Sequence, residues 1–211
     1  MTAHFKNTLT WAHGVQRHWV GLCLFMVIFG GAFGDAQAQA QTSTANPNIN
    51  PNAQYSRPEV AALSGVVPTA PVRLRVWGFE VYDARLWTPL GFRHSQHELH
   101  PFALELQYLR RLEGASIASR SIDEMRRVGN FSDAQAQGWL SAMSALFPNV
   151  SQGDRITGVN LPGLGAEFWV NGQRVGLVKD TAFARLFFGV WLDERTSEPK
   201  MRAQLLQGLQ P

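Results

Sequence analysis

Two arginines and a tyrosine are the residues of this 211-residue chain best placed to do binding chemistry. Arg73-Leu-Arg-Val-Trp77 alternates as a strand, and Glu80 to Trp87 returns as a second. Gly78-Phe79 between them fits a two-residue type II′ turn, with Gly where φ must be positive. That turn pairs Trp77 with Glu80 and Val76 with Val81. It therefore sets Arg75 opposite Tyr82 and Arg73 opposite Ala84. Directly opposed residues share a face, with Cβ atoms about 5 Å apart. Arg73, Arg75, Trp77, Tyr82 and Leu86 then form one face. A guanidinium beside a phenol, framed by apolar groups, can grip a carboxylate or phenolate at one end of an apolar ligand. The same spacing also fits an arginine stacked on Trp77 and paired with Glu80 at a partly exposed surface.

Other chemistry is thinner. His94-Ser-Gln-His97-Glu-Leu-His100 has three imidazoles at i, i+3 and i+6. They would share a face on a helix and could then hold zinc or copper, but no carboxylate with clear ligand spacing joins them apart from Glu98. The segment is read as a polar connection, and no metal or cofactor is expected. Asp123/Glu124 and Asp193/Glu194 are adjacent pairs, which do not face each other on a helix. Cys23 is the only cysteine. There is no Gly-rich loop between a strand and a helix, and no G-x-S-x-G elbow.

The elements that must position these groups are legible from turns and caps. Phe102 to Leu109 is a third strand, with Phe102, Leu104, Leu106 and Tyr108 on one face and Glu105 and Gln107 on the other. Ser121-x-x-Glu124 and Ser132-x-x-Gln135 are capping boxes that open two helices. Gly129 closes the first, and Pro148 stops the second. Asp154 to Val159 is a strand. Ala166 to Val170 and Gln173 to Val178 form a hairpin about Asn171-Gly172. Asp180 caps an apolar helix, Phe183 to Leu192, and a last helix runs from about Pro199 to Gln207. Hairpins dominate, so the expected class is α+β: a largely antiparallel sheet with helices layered on it.

Three regions are expected along the chain. Lys6, Arg17 and His18 precede an apolar run, Trp19 to Phe33, and then Ala36-Gln-Ala38-Gln-Ala40. Residues 1–40 read as a signal peptide cleaved near Ala38 or Ala40, which places the mature chain in the periplasm or outside the cell, with no membrane span. The run is short for a span of roughly 20 residues. A mature chain without cysteine suits an oxidising compartment. Residues 41–70, rich in Asn and Pro, read as a flexible leader with a short helical turn near Glu59 to Ser64. Residues 71–211 are the folded domain. The net charge of +3 comes from scattered arginines, so nucleic acid is not an expected partner.

Ordered motifs carry a resemblance. Leu74-Arg-Val-Trp-Gly-Phe-Glu-Val-Tyr-Asp-Ala-Arg-Leu-Trp87 is similar to the signature strand pair of bacterial chalcone isomerase-like proteins. Phe102 to Tyr108, Ser121 to Met125, Gly153 to Thr157, Phe168 to Gly172 and Phe187 to Leu192 follow in family order. The resemblance implies an open-faced β-sandwich. It also implies an anion-binding Arg in the first strand and a hydroxyl partner in the second. Arg75 and Tyr82 match these best, Arg73 is the alternative, and Tyr108 is a further candidate. The Thr-rich signature of the plant enzymes is missing, and the superfamily has non-catalytic members. The expected function is therefore binding of a fatty acid or similar amphipathic or aromatic anion. An isomerase or intramolecular lyase of the chalcone isomerase type is the alternative, and a partner-binding module a third reading.

Overall fold

The computed structural model describes residues 57–211. The expected signal peptide at 1–40 and residues 41–56 of the leader lie outside the described residues. The element order is α1 (Pro58–Ala61), β1 (Val66–Pro68), β2 (Val72–Val76), β3 (Phe79–Pro89), a 3-10 segment (His94–Leu99), β4 (Phe102–Tyr108), α2 (Gly114–Val128), α3 (Asp133–Leu146), β5 (Arg155–Leu161), β6 (Gly165–Val170), β7 (Gln173–Val178), α4 (Thr181–Leu192) and α5 (Pro199–Leu205). The strands form one seven-stranded antiparallel sheet in the order β1-β3-β4-β5-β6-β7, with β2 also paired to β3. The long β3 hosts both: β1 lies opposite its Trp87–Pro89 end and β2 opposite Phe79–Ala84. The class is α+β, with helices packed on the sheet.

Strand alternation decides which face the helices cover. Ala84, Leu86, Phe102, Leu104, Leu106, Ile156 and Phe168 point to one side and join the main core. Helix α4 supplies the other half. It is apolar almost all round and buries Phe183, Leu186, Phe187 and Phe188, so it lies inside the helical layer rather than at its rim. Each such buried side chain contributes roughly 1.5–3 kcal/mol. Gly158 lets the sheet approach this helix: a Cβ there would sit 3.1 Å from the Phe188 ring. Asn160 ties the 3-10 segment down, donating to the carbonyls of His97 at 3.2 Å and His100 at 2.8 Å.

Several local expectations hold. Ser132 and Gln135 form a complete capping box, and Asp180 accepts from the Ala182 and Phe183 amides. Asn171-Gly172 is a two-residue turn with both φ positive. Others are corrected. Helix α2 starts at Gly114, seven residues before Ser121, because the Asn149 side chain accepts the Gly114 amide and anchors an earlier start. Ser121 is therefore mid-helix, donating to the Ile117 carbonyl. Gly129 ends α2 in an extended conformation, not a left-handed one. The leader is not wholly flexible: α1 and β1 occupy 58–68, and the folded part begins by Arg57. The histidine segment is a kinked 3-10 helix with His97 buried. Among the described residues no group of three ligand side chains could hold a metal. No helix among them is long and apolar enough to cross a membrane.

Candidate functional site

The register of the first hairpin separates the expected pair. Val76 lies opposite Phe79 and Arg75 opposite Glu80, while Leu74 lies opposite Tyr82 and Arg73 opposite Asp83. The two turn residues are Trp77 and Gly78, at φ 49 and 83, the type I′ geometry that matches strand twist. Val81 is an extra residue, a β-bulge. Arg75 is thus not opposite Tyr82. Arg73 and Arg75 lie on one face of the sheet, and Tyr82 and Tyr108 on the other.

Each set is accounted for locally. Arg73 forks onto Asp83, with Nε and Nη2 donating at 2.7 and 2.8 Å, and its Nη1 donates to Glu80 at 2.9 Å. Arg75 donates to the same Glu80 oxygen at 2.8 Å. These hydrogen bonds, Arg73 first, hold the Glu80 carboxyl below its usual range. All of this is exposed, so it adds little to stability. Tyr82 is half-buried against the core, and its hydroxyl accepts from Trp191 Nε1 at 3.0 Å. Its ring meets Tyr108 edge-on with centroids 6.1 Å apart. Burial pushes both phenols well above the ordinary tyrosine range. They stay neutral, cannot act as bases near pH 7, and share no face with the two arginines.

A second constellation lies on the sheet face away from the main core. Direct cross-strand register runs Arg85–Glu105–Thr157–Trp169 through β3, β4, β5 and β6. Arg57 reaches in from the segment before α1 and pairs with Glu105, with its Nη2 donating at 3.1 Å. Arg155 Nε lies 3.8 Å from the same carboxylate. Glu59 is 1% exposed, and its Oε1 accepts from Thr157 Oγ1 at 3.2 Å. The guanidinium carbons of Arg57 and Arg85 lie 5.9 and 5.8 Å from the Trp87 ring centre. Beside this polar floor is an apolar strip: Val60, Ala103 and Val159, flanked by Leu63, Trp87, Leu161 and Trp169.

Three buried polar atoms there have no hydrogen-bond partner among the described residues: Arg85 Nε, Trp87 Nε1 and Glu59 Oε2. Buried donors without acceptors are costly and uncommon. Arg85 and Trp87 are two apart on one strand, so both donors serve the same face. Two donors with arginines beside them suit an oxyanion, and the strip beside them suits a hydrocarbon tail. Sequence reasoning passed over these residues. Their signal was a charged or hydroxyl side chain in mid-strand on three neighbouring strands: Arg85, Glu105 and Thr157.

An antiparallel sheet with its main helical layer on one face, and with α1 and an arginine-rich polar floor on the other, defines the class as α+β. The chalcone isomerase-like family model matches residues 69–207, and the chain belongs to that family. An uncharacterized protein of Haemophilus influenzae is 31% identical over 131 residues, a match covering 62% of this chain and 63% of that protein's length. The crystal structure of an Arabidopsis thaliana fatty-acid binding protein aligns with a TM-score of 0.51 at 15% identity. That alignment covers 66% of this chain and 84% of the plant chain. The likeness shows a shared fold.

Proposed function

We propose that this protein binds a fatty acid or similar amphipathic anion without turning it over, and that it does so on the sheet face away from the main core. The supporting observation is the pair of buried donors, Arg85 Nε and Trp87 Nε1, beside an apolar strip. A carboxylate would accept from both, and the tail would lie along Ala103, Val159 and Leu161. Val60 and Leu63 now cover that strip, so α1 must shift for the tail to enter. That a fatty-acid binding protein shares the fold supports the ligand class. An isomerase of the chalcone type needs an arginine and hydroxyls converging on one substrate. Here the candidate Arg73 and Arg75 are turned away from Tyr82 and Tyr108 by the hairpin register.

Calorimetric titration with dodecanoate tests the reading. Arg85→Ala removes a charge-assisted bond and should weaken binding about tenfold or more, while Arg75→Ala leaves it unchanged. Loss of binding in Arg75→Ala or Tyr82→Phe, with none in Arg85→Ala, would move the site to the first hairpin. No binding at all sinks the proposal. We further propose that the protein acts after export. Sequencing of the mature N-terminus from the host should begin at Gln39 or Gln41, and a start at Met1 would refute this.

A further inference from the structure

The tip of the β2–β3 hairpin carries side chains that the fold does not use. Val76, Trp77 and Phe79 are 41%, 69% and 63% exposed around Gly78. Trp77 is also held at φ 49, a left-handed conformation that bulky residues adopt at a cost. The same sheet contains a second hairpin with the same turn. There the equivalent position, at φ 50, is Asn171, followed by Gly172. Asn-Gly is what folding alone favours in a type I′ turn. The first hairpin instead keeps the largest side chain at its most exposed and most strained point, and gains no core burial from it.

The base of the tip is cationic. The Arg110 guanidinium lies 5.3 Å over the Phe79 ring. Arg110 and Arg111 are exposed, and neither pairs with a carboxylate among the described residues. Of the nearby acids, Glu80 and Asp83 are already engaged by Arg73 and Arg75, and Glu113, exposed two residues past Arg111, offsets one of the two further guanidinium charges. Aromatic groups at a projecting point, with guanidinium groups one level behind, match the layering of a membrane interface. Indole and phenyl rings sit at the headgroup level, and arginines meet the phosphates.

We propose that the β2–β3 hairpin docks this protein on an anionic phospholipid surface, with Trp77 and Phe79 inserting and Arg110 and Arg111 at the headgroups. The proposal goes beyond the anion-binding site and does not depend on it. It is tested with the chain from Gln39 onward, which lacks the apolar run Trp19 to Phe33 and Cys23, carrying one new cysteine bearing an environment-sensitive fluorophore. The cysteine is placed at Val76 or, as a control, at Leu90, which is 89% exposed past the far end of β3 and roughly 35 Å along the strand. On vesicles of phosphatidylcholine and phosphatidylglycerol, emission should shift to the blue at position 76 and not at 90. The shift should weaken on pure phosphatidylcholine. Trp77→Asn should lower vesicle partitioning about tenfold or more while the thermal midpoint stays level or rises. Four results would overturn the proposal. The label at 76 could remain in water while the chain sediments with vesicles, so that another segment anchors it. Trp77→Asn could bind vesicles as well as the unaltered chain, or lose binding only together with stability. The shift could appear without vesicles and grow with protein concentration, so that a second copy covers the tip.

Discussion

Tyr82 and Tyr108 show how a side chain of apparent chemical promise is reassigned by its surroundings. Read as hydroxyl partners for an anion, they lie on the helix side, Tyr108 buried and Tyr82 half-buried, where Tyr82 takes the Trp191 indole N–H. Burial raises both folded-state pKa values above the ordinary 10.0. The sign of the linkage follows. Below pH 10 both states are protonated and the tyrosines add no pH dependence. Above it, the unfolded chain loses protons that the folded chain keeps, so stability falls as pH rises. Two such groups give a slope of up to roughly 2.7 kcal/mol per pH unit. Urea unfolding between pH 9 and about 11 should show that loss, and Tyr82→Phe with Tyr108→Phe should flatten it. An unchanged slope in the double variant would mean that the two phenols are not the groups protected. At the same scale, the open-face cluster was hidden because its pairs are distant in sequence. Arg57 meets Glu105 across 48 positions and Glu59 meets Thr157 across 98. No local spacing reports such contacts.

Elements were legible where one or two residues decide them. Asn171-Gly172, the Ser132 capping box and the Asp180 cap act within four residues of sequence, and each stands where it was read. The first hairpin departs from its expected register for a physical reason. Trp is disfavoured at positive φ, so the sequence points to the glycine as the first turn residue, and the bulge at Val81 leaves no mark in it. The first capping box failed for a related reason: Ser121-x-x-Glu124 has the right types, but the helix was already under way. Ser132→Ala should therefore cost about 1 kcal/mol, while Ser121→Ala should stay within about 0.5 kcal/mol, compared by thermal unfolding. Helix glycines provide a second contrast. Gly138 on α3 is exposed, with nothing within 4 Å of an added Cβ. Gly138→Ala should stabilise by up to about 1 kcal/mol through helix propensity. Gly189 on α4 meets Val128 of α2, where an added Cβ would sit 2.6 Å from Cγ1. Gly189→Ala gains the same propensity but overpacks the helix pair, at a cost of about 1–3 kcal/mol. Opposite signs in the two denaturation midpoints are the expected outcome. Two gains would show that α2 and α4 can move apart freely.

At the scale of the whole molecule, the question is where the domain begins. Composition placed the boundary at 70, because Pro- and Asn-rich sequence reads as linker. The structure draws at least Arg57 to Pro68 into the fold, since the sheet face away from the main core needs a cover. Without it, Ala103 and Val159 would meet water, and Glu105 would lose its Arg57 partner. A chain beginning at Pro71 is the direct test. It lacks β1, the apolar contacts of Val60, Leu63 and Val66, and one side of a buried ion pair. Water then reaches Glu105, which keeps Arg155 at 3.8 Å, so the lost ion pair costs less than the about 3–5 kcal/mol of a charge left buried alone, and lost apolar burial adds roughly 1.5–3 kcal/mol per covered side chain. Stability from urea unfolding should fall by roughly 3 kcal/mol relative to the full chain, and limited proteolysis should be faster. The same truncation bears on function with the opposite sign. If α1 covers the tail-binding strip, its removal should strengthen dodecanoate binding even as the protein becomes less stable. A chain that is less stable and also binds less would make α1 a wall of the site rather than its cover. A chain of undiminished stability would return the domain boundary to residue 70.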